Sequence, residues 1–452
     1  MDIGRLILEG LEANGVEHAV VEVSEGKTKH VKVMDNRIDS LVSSSFSMAS
    51  IFAARKGRVM FTNIEDLTAA SATESVKSVA HGLSLITPKD YYYGIADGPF
   101  KYGRRPLNDR RISLEEYSVE GIVSETVEAA LGAGAAKVHG MLSLGYQTQR
   151  TLTSGGVDAE ETGTSVSNSM RAFAPSGLSA HSVSVSRTLS GIDNAQVGRS
   201  AGEMATRAKA RRRVEPGKYD IIFAPLAAGN LMSLVGESAS ISSVEAGFSF
   251  LAKKLGNEVA NRGLSIYDDA TIPGGIGSRR FDAEGVPSMR TRIIGGGTLK
   301  SYLHNTSTAK KYGARTTANA GLTDPEPTNI VIDHRKSYRE LGRLLGAVDR
   351  GILVTNTWYT RFSNYLTGDF STVPRDVAFL VERGEVKYAI SMGAAGSASV
   401  GIRINDNFIR LMHSIEACGG PVFQANAWDS SDVVFTPALL VRDVIVTTAS
   451  FI

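Results

Sequence analysis

Eight histidines are the side chains in this chain best suited to hold a catalytic metal, and their spacing limits the sites they could build. They lie at positions 18, 30, 81, 139, 181, 304, 334 and 413. Zinc peptidases commonly place two imidazoles on adjacent turns of one helix, beside a carboxylate that activates water. The closest pair here, His18 and His30, is twelve positions apart. A zinc site would need ligands from distant segments, which we disfavour because catalytic sites commonly draw two ligands from one element.

Nucleophilic catalysis would need a cysteine or a serine beside a base. Cys418 is the only cysteine, and His413 lies five residues before it, so a thiolate–imidazole pair is one alternative. A buried, unreactive thiol is the more common state of a lone cysteine, and we favour it. Ser278 follows a glycine in a loop and Ser233 lies on a predicted helix, but neither has a basic residue close in sequence. Without a Gly-x-Ser-x-Gly motif, we expect capping or surface roles for both serines.

Glycine clusters and basic runs could indicate phosphate or nucleic-acid binding. Residues 274–277 and 295–297 are glycine-rich but lack the Lys and Ser/Thr spacing of a phosphate-binding loop, so tight turns explain them better. The arginines at 211–213 fit a solvated helix end. Lys and Arg total 49 against 47 Asp and Glu, a formal net charge of +2. That balance predicts no nucleic-acid partner.

Composition and cysteine usage indicate the compartment. The chain has 452 residues, of which 42% are hydrophobic, enough to bury a core. One cysteine excludes an internal disulfide framework and favours a reducing compartment. The first residues show no apolar signal segment, and no uncharged apolar run approaches the roughly 20 residues of a membrane helix. The sequence therefore predicts a soluble, cytoplasmic protein without a membrane partner.

Hydrophobic periodicity predicts an α+β fold. Residues 16–82 and 137–213 share one order, strands followed by a helix, which suggests a weak duplication of a strand–helix unit. Helical patterns or capping signals cover residues 3–11, 63–81, 113–135, 193–213, 230–237 and 251–261.

The predicted division of the chain places an α+β domain at residues 1–215 and a second domain at 216–452. Two similar halves, about 1–87 and 113–215, make up the first domain and are joined by an irregular linker or surface arm. The second domain is rich in glycine and short apolar runs, which is typical of a β-rich, partly closed, barrel-like architecture.

Four segments of the second domain resemble the TldD/PmbA family, and the paired strand–helix units extend this resemblance over nearly the whole chain. The segments are residues 268–275 (DDATIPGG), 281–287 (FDAEGVP), 297–303 (GTLKSYL) and 317–320 (TANA). The resemblance implies one of two branches. TldD-type members are zinc peptidases with an HExxxH helix and a distant cysteine ligand. PmbA (TldE)-type members lack that motif and pair with a TldD-type subunit.

Matching this chain to the family motif suggests that the metal helix has lost its ligands. Met232 stands at the first histidine, Ser233 at the glutamate and Glu237 at the second histidine, while Cys418 matches the ligand cysteine. A thioether, a hydroxyl and one carboxylate do not make a hydrolytic zinc site. We therefore expect no metal in this chain and zinc in a TldD-type partner.

Three functional hypotheses remain at this stage. The favoured one is a PmbA/TldE-like subunit, non-catalytic or weakly active, in a TldD-type metallopeptidase system that acts on unfolded peptides; such members carry the old label of modulators of DNA gyrase. The alternatives are a self-sufficient peptidase of altered mechanism and a peptide-binding homodimer without catalysis. Acidic and imidazole side chains in the family-like loops are the candidates for a substrate cleft, with turn and capping chemistry as the alternative. They are Asp268, Asp269, Asp282, Glu284 and His304.

Overall fold

A computed structural model describes residues 1–89, 91–208, 210–391, 400–426 and 433–450. Its helices are α1 (Ile3–Ala13), α2 (Ala69–Leu85), α3 (Arg110–Ser113), α4 (Val119–Gly132), α5 (Asn194–Thr206), α6 (Pro225–Ala239), α7 (Ile241–Glu245), α8 (Thr306–Lys311), α9 (Leu341–Leu345) and α10 (Phe408–His413). Its first strands are β1 (His18–Met34), β2 (Arg37–Arg55), β3 (Arg58–Ile64), β4 (Lys137–Thr153), β5 (Asp158–Phe173) and β6 (Ser179–Ser186). The later strands are β7 (Arg211–Arg212), β8 (Gly217–Phe223), β9 (Leu264–Asp269), β10 (Arg290–Gly295), β11 (Thr298–Leu299), β12 (Asn329–His334), β13 (Ser337–Tyr338), β14 (Arg350–Val354), β15 (Thr357–Asn364), β16 (Asp369–Pro374), β17 (Ala378–Glu382), β18 (Glu385–Ile390), β19 (Val400–Asn407), β20 (Ile415–Ala425) and β21 (Val433–Ser450). The α+β class predicted from the sequence is confirmed.

The first sheet has the order β3-β2-β1-β4-β5-β6, with every neighbouring pair antiparallel. A helix, three strands and a second helix occur in that order twice, as α1-β1-β2-β3-α2 and as α4-β4-β5-β6-α5. The two units meet at the centre of the sheet, where β1 pairs with β4. The strand–helix repetition suggested by the sequence is therefore visible as two equivalent halves of one sheet.

The helices of the two units pack on the sheet through separate apolar clusters. In the first unit, Ile7 of α1, Val79 of α2 and Val21 of β1 belong to one cluster of buried apolar side chains. In the second unit, α4 and α5 cover β4 to β6, and the two helices cross closely. A Cβ atom added to Gly198 of α5 would lie 1.9 Å from the backbone oxygen of Thr126 in α4. Only glycine permits this approach.

The second sheet contains β7 to β21 and has a central order β11-β10-β9-β12-β21-β8-β14-β17-β18-β7. Helix α6 lies against β21 and also contacts β8, β12 and β20. Among the described strands, this order runs from one end to the other without closing on itself, so the predicted barrel-like closure is not seen there. None of the helices in the described ranges is long and apolar enough to cross a bilayer.

The segment between α2 and α3 is not a free surface arm, as one interpretation of the sequence had it. The backbone N–H of Tyr93 donates to Ser307 Oγ at 2.9 Å, and Tyr102 Oη donates to the Gly285 oxygen at 2.8 Å. Arg105 also donates to the Ala270 oxygen at 3.3 Å. The segment therefore lies across the second half of the chain.

Several predicted helix boundaries were wrong. Instead of one helix over 113–135, α3 ends at Ser113 and α4 begins after Ser118, whose side chain accepts from the Gly121 N–H. A left-handed residue, Glu115 (φ 56°), separates the two helices. Helix α5 begins where predicted, after Asp193, which caps it, but it ends at Thr206, and the basic run at 211–212 forms β7, which pairs with β18.

The helix predicted over 251–261 is absent and is replaced by turns. The backbone groups of this segment bond to another part of the chain instead. The Leu299 N–H donates to the Asn257 oxygen at 3.0 Å, and the Val259 N–H donates to the Gly297 oxygen at 2.8 Å. Lys253 and Gly256 both have positive φ, which a helix does not allow. Long-range pairing therefore overrides the local apolar pattern.

Candidate functional site

Helix α6 is the element on which the family motif falls, and its sequence explains why it is buried. Pro225 occupies the first turn, where its missing N–H costs nothing. Apolar and small residues then surround the helix axis rather than forming one stripe, which is typical of a helix buried on most sides. The buried residues include Leu226, Leu231 and Val235.

The three motif positions of α6 have different surroundings. Met232 is 1% exposed and belongs to the large core cluster of the second half. Ser233 is 2% exposed, and its hydroxyl donates to the Asn230 backbone oxygen of its own helix at 3.0 Å. Glu237 is exposed. Only the last of these side chains is free to act on a ligand from solvent.

A cavity of about 310 Å³ lies between α6 and β15, and we call it the Glu237 cavity. The Thr360 hydroxyl donates to Asn230 Oδ1 at 3.2 Å, so the two walls are tied together. The surrounding walls remove enough water from the rim to raise the pKa of the Glu237 carboxyl through desolvation. The cavity is lined by Asn230, Ser233, Leu234, Glu237, Thr360, Arg361, Phe362 and Tyr365.

Cys418 is not among the residues that line the Glu237 cavity. It lies on β20 with 2% exposure, opposite Ser337 on one side and Leu439 on the other. Burial raises the pKa of its thiol, which favours the protonated form over the thiolate that metals and electrophiles require. The structure therefore brings Ser233 and Glu237 to one cavity and leaves Met232 and Cys418 in the core.

The two aspartates at the end of β9 hold the loops around them. Asp268 is 1% exposed and accepts from the Thr328 N–H at 2.6 Å and from Asn319 Nδ2 at 2.7 Å. Asp269 accepts from the Thr271 N–H at 2.9 Å and lies 3.5 Å from Arg290 Nε. Burial raises the pKa of Asp268, although its hydrogen bonds oppose that shift. These contacts stabilise turns, which is the role that the sequence analysis gave as the alternative to a substrate cleft.

Asp282 and Glu284 are adjacent buried carboxyls with different environments. Asp282 accepts three backbone N–H groups, from Glu284 at 3.0 Å, Val286 at 2.9 Å and Ala320 at 3.0 Å. Glu284 accepts from the Thr306 N–H at 3.3 Å and lines a second, larger cavity. Burial raises the pKa of both carboxyls, and the charge of Asp282 raises that of Glu284 further.

His304 is 4% exposed and packs beside Tyr312 with ring centroids 6.0 Å apart. Its Nδ1 lies 3.3 Å from Thr308 Oγ1. Burial lowers the pKa of its imidazole. Of the five predicted cleft residues, Glu284 is the one that lines either of the two cavities described here.

The donor set of α6 does not fit a zinc ion. Zinc takes nitrogen, sulfur and carboxylate ligands in a tetrahedral arrangement. Met232 is enclosed by the core, Ser233 is bonded to its own helix, and Cys418 lies elsewhere. Over the ranges that the structure describes, no group of three His, Cys, Asp or Glu side chains could hold a metal ion.

Sequence reasoning missed the residues that face these carboxylates. The second wall of the Glu237 cavity comes from Thr360 to Tyr365 of β15 and its turn, more than a hundred positions after α6. The wall opposite Glu284 includes Tyr91 and Tyr92 from the irregular segment. These consecutive tyrosines were the one feature of the sequence that indicated packing here, since aromatic rings are uncommon in a solvated linker.

Two strand–helix units that share one sheet, followed by a β-rich half built around the buried helix α6, define the architecture of this α+β protein. Residues 216–448 match the family model described as the PmbA/TldA metallopeptidase C-terminal domain. The chain belongs to the PmbA/TldD family, as its sequence motifs indicated.

Known proteins and structures agree with this assignment. The metalloprotease PmbA of Escherichia coli O157:H7 is 30% identical over a stretch that covers 56% of this chain and 53% of that protein. A Thermotoga maritima protein described as a modulator of a DNA gyrase superposes with a TM-score of 0.83 at 22% identity, covering 99% of both chains. TldE from Thermococcus kodakarensis gives a TM-score of 0.83 at 19% identity, covering 98% of this chain and 100% of that one. At these identities the two structures establish the shared fold.

Proposed function

We propose that this chain is a PmbA/TldE-like subunit without a hydrolytic zinc of its own, which complements a TldD-type metallopeptidase that acts on unfolded peptides. The observation that carries this proposal is the state of α6. Met232 is enclosed in the core and Ser233 is bonded within its helix, so Glu237 is the one motif position that offers a metal ligand, and one carboxylate does not make a zinc site. The scaffold of the family is kept, while the metal-binding chemistry is not.

The alternative of a self-sufficient peptidase with a different nucleophile has little support. Cys418 is buried with a raised thiol pKa. Ser278 is 1% exposed, donates to the Ile272 oxygen at 2.7 Å and accepts from Asn329 Nδ2 at 3.0 Å. A nucleophile needs a base within hydrogen-bond reach and access to substrate. Neither residue meets both conditions.

A role in peptide handling is supported by the second wall of the Glu237 cavity. Among the described strands, β15 pairs only with β16, so its other edge has no strand partner there, and three of its residues line the cavity. An extended peptide can add to such an edge through main-chain hydrogen bonds. In this proposal the edge of β15 holds peptide and the partner subunit supplies the zinc and the activated water.

The decisive experiment measures zinc content and cleavage together. Purified chain, a zinc-bearing TldD-type subunit, and the two mixed are each assayed on an unfolded polypeptide, with and without a chelator. We expect substoichiometric zinc and no cleavage for this chain alone, and chelator-sensitive cleavage that rises on mixing. Stoichiometric zinc, or cleavage by this chain alone, would overturn the proposal.

The same experiment distinguishes the proposed partnership from a peptide-binding homodimer. If mixing leaves the cleavage rate of the zinc subunit unchanged and the two chains elute separately in gel filtration, the proposed partnership is wrong. A peptide-binding homodimer would then be the favoured hypothesis.

Backbone N-methylation of every second residue in the peptide tests the β15 edge, because each methyl group removes a main-chain donor.

A further inference from the structure

A second cavity, of about 460 Å³, lies between the first sheet and the loops of the second half. Val20 and Phe52 contribute from the first sheet, and Tyr92 contributes from the irregular segment. Glu284 and Lys311 close the other side. We call it the Tyr92 cavity. It shares no lining residue with the Glu237 cavity, and its volume is within the range of small-molecule sites.

Two buried polar groups border the Tyr92 cavity without adequate partners. Glu284 is 6% exposed, and its hydrogen-bonding partner is Thr306, whose N–H donates to Oε2 at 3.3 Å. The Tyr92 hydroxyl is buried and has no hydrogen-bond partner in the described structure. Burial raises the pKa of the Tyr92 hydroxyl, and the charge of Glu284 raises it further. Unpartnered buried polar groups are uncommon and call for an explanation.

The charge of Glu284 also lacks a direct counterion. None of the ion pairs between described residues includes Glu284, and its neighbour Asp282 adds a second negative charge. Lys310 acts on it only at longer range, while Lys311 is paired with Glu245 at 2.8 Å. A buried carboxylate is costly unless it is paired with a cation and hydrogen-bonded, so burial keeps the Glu284 carboxyl protonated when the cavity is empty. A cationic hydrogen-bond donor is the complement that would let Glu284 ionise, with its proton released to solvent.

One side of the cavity wall is apolar and aromatic, with Val20, Phe52, Val59 and Ile95. The other side is polar and carries both signs of charge, including Glu245 and Lys311, which pair with each other at 2.8 Å. A ligand that fills this space would bury hydrocarbon or an aromatic ring against the first side at the same time as it pairs with Glu284. Apolar contacts combined with a few directed polar groups are typical of specific small-ligand sites.

We propose that the Tyr92 cavity binds a primary ammonium group carried on an apolar or aromatic residue, as at the N-terminus of a peptide. The ammonium donates to the Glu284 carboxylate and to the Tyr92 hydroxyl oxygen, and the side chain packs among Phe52, Val59 and Tyr91. The site is independent of α6, and its ligand class follows from the cavity chemistry alone. It does not rest on the partnership proposed above.

Calorimetric titration of the full-length chain, without any zinc subunit, tests the ligand class. The probes are phenylalaninamide, which has only the ammonium, N-acetylphenylalanine, which has only the carboxylate, and N-acetylphenylalaninamide, which has neither. We expect measurable binding of the first and none of the other two. Equal binding of all three, binding of the acetylated acid alone, or no binding of any at millimolar concentration would each overturn the proposal.

Variants then test the residues. Glu284→Gln keeps the shape and the acceptor for Thr306 but removes the charge, and we expect it to weaken phenylalaninamide binding about tenfold or more. Tyr92→Phe should weaken binding about threefold or more. The control is Glu258→Gln, at an exposed carboxylate paired with Arg262 at 3.1 Å, which should bind as the wild type does. Unchanged affinity in both site variants contradicts the assignment; if Glu284→Gln does not fold, Tyr92→Phe still decides.

Discussion

At the level of single residues, three carboxyl groups have different structural roles, and their environments show which role each one has. Glu237, Asp282 and Glu284 all have a raised pKa, and in each case desolvation is the largest cause. Both carboxyl oxygens of Asp282 accept hydrogen bonds from backbone N–H groups, and they therefore hold a loop in place. Glu237 and Glu284 each border a cavity and keep acceptor capacity for a ligand. Residue type alone could not have distinguished them.

The raised pKa of Glu284 makes stability depend on pH with a definite sign. The folded chain holds a proton that the unfolded chain releases above about pH 4.3. The free energy of unfolding should therefore fall as the pH rises from there through the raised value. Glu284→Gln cannot lose a proton, so between about pH 5.5 and 8.5 its urea-measured stability should fall by at least about 1 kcal/mol less than that of the wild type. Parallel curves would contradict the assignment of this proton, and Glu258→Gln serves as the unchanged control.

Restoring the two histidines of the zinc motif should not restore a zinc site. In Met232→His combined with Glu237→His, the first imidazole replaces a thioether that is 1% exposed within the apolar core cluster. We expect about 2–4 kcal/mol of destabilisation, from lost packing and a buried polar group, and substoichiometric zinc by elemental analysis. Glu237→His alone should cost about 0.5 kcal/mol or less. A stable double variant with one zinc per chain would show that α6 is more adaptable than its packing indicates.

At the level of elements, sequence patterns succeeded where local signals and tertiary packing agree. The helical patterns predicted from residues 3 and 193 correspond to the observed starts of α1 and α5. The helix predicted over 251–261 is wrong because the backbone of this segment pairs with residues 297–299. The sequence of the segment itself contains no information about that distant pairing. Predicted helix boundaries near 113 and 213 failed for a related reason, since a left-handed turn and a short strand pairing end those segments.

The crossing of α4 and α5 provides a direct test of helix packing. Gly198→Ala would place a methyl group 1.9 Å from the Thr126 oxygen, so the helices must separate. We expect a loss of about 2–3 kcal/mol, seen as a lower urea midpoint. Gly132→Ala is the matched control, since its added Cβ meets nothing within 4 Å. That change should be neutral or stabilising by up to about 1 kcal/mol. Equal effects of the two changes would contradict the close crossing.

At the level of the whole molecule, the contacts between the two halves could not be predicted from sequence. Arg187, directly after β6, donates to the backbone oxygens of Gly275, Ile276 and Ser278 in the glycine-rich loop, and to that of Thr164 in β5. One guanidinium thereby satisfies carbonyl groups from both halves. Nothing in its sequence neighbourhood marks this arginine, because each partner is set by tertiary structure. The two cavities could not be predicted for the same reason, since their opposing walls come from segments that are far apart in the sequence.

Removing the Arg187 contacts should weaken the whole structure. Arg187→Met keeps most of the side-chain volume but leaves buried carbonyl groups unpaired, and we expect a loss of about 3 kcal/mol in the free energy of unfolding. Arg199, exposed on α5, is the matched control, and Arg199→Met should stay within about 0.5 kcal/mol of the wild type. Urea denaturation followed by both fluorescence and circular dichroism gives the values. A loss below about 1 kcal/mol would show that the glycine-rich loop is held by other contacts.

The segment between α2 and α3 has a consequence for the order in which the chain can fold. Two of its partners come late, since Tyr93 bonds to a residue 214 positions further on and Tyr102 to one 183 positions further on. During synthesis, at roughly 5–20 residues per second, those partners emerge about ten seconds or more after the segment itself. The first sheet can pair its strands in that interval, and the segment can already dock on that sheet, because Tyr92 packs against Phe52 and the Gly98 N–H donates to the Gly155 oxygen at 2.6 Å. Its hydrogen bonds to the second half form last and join the two halves.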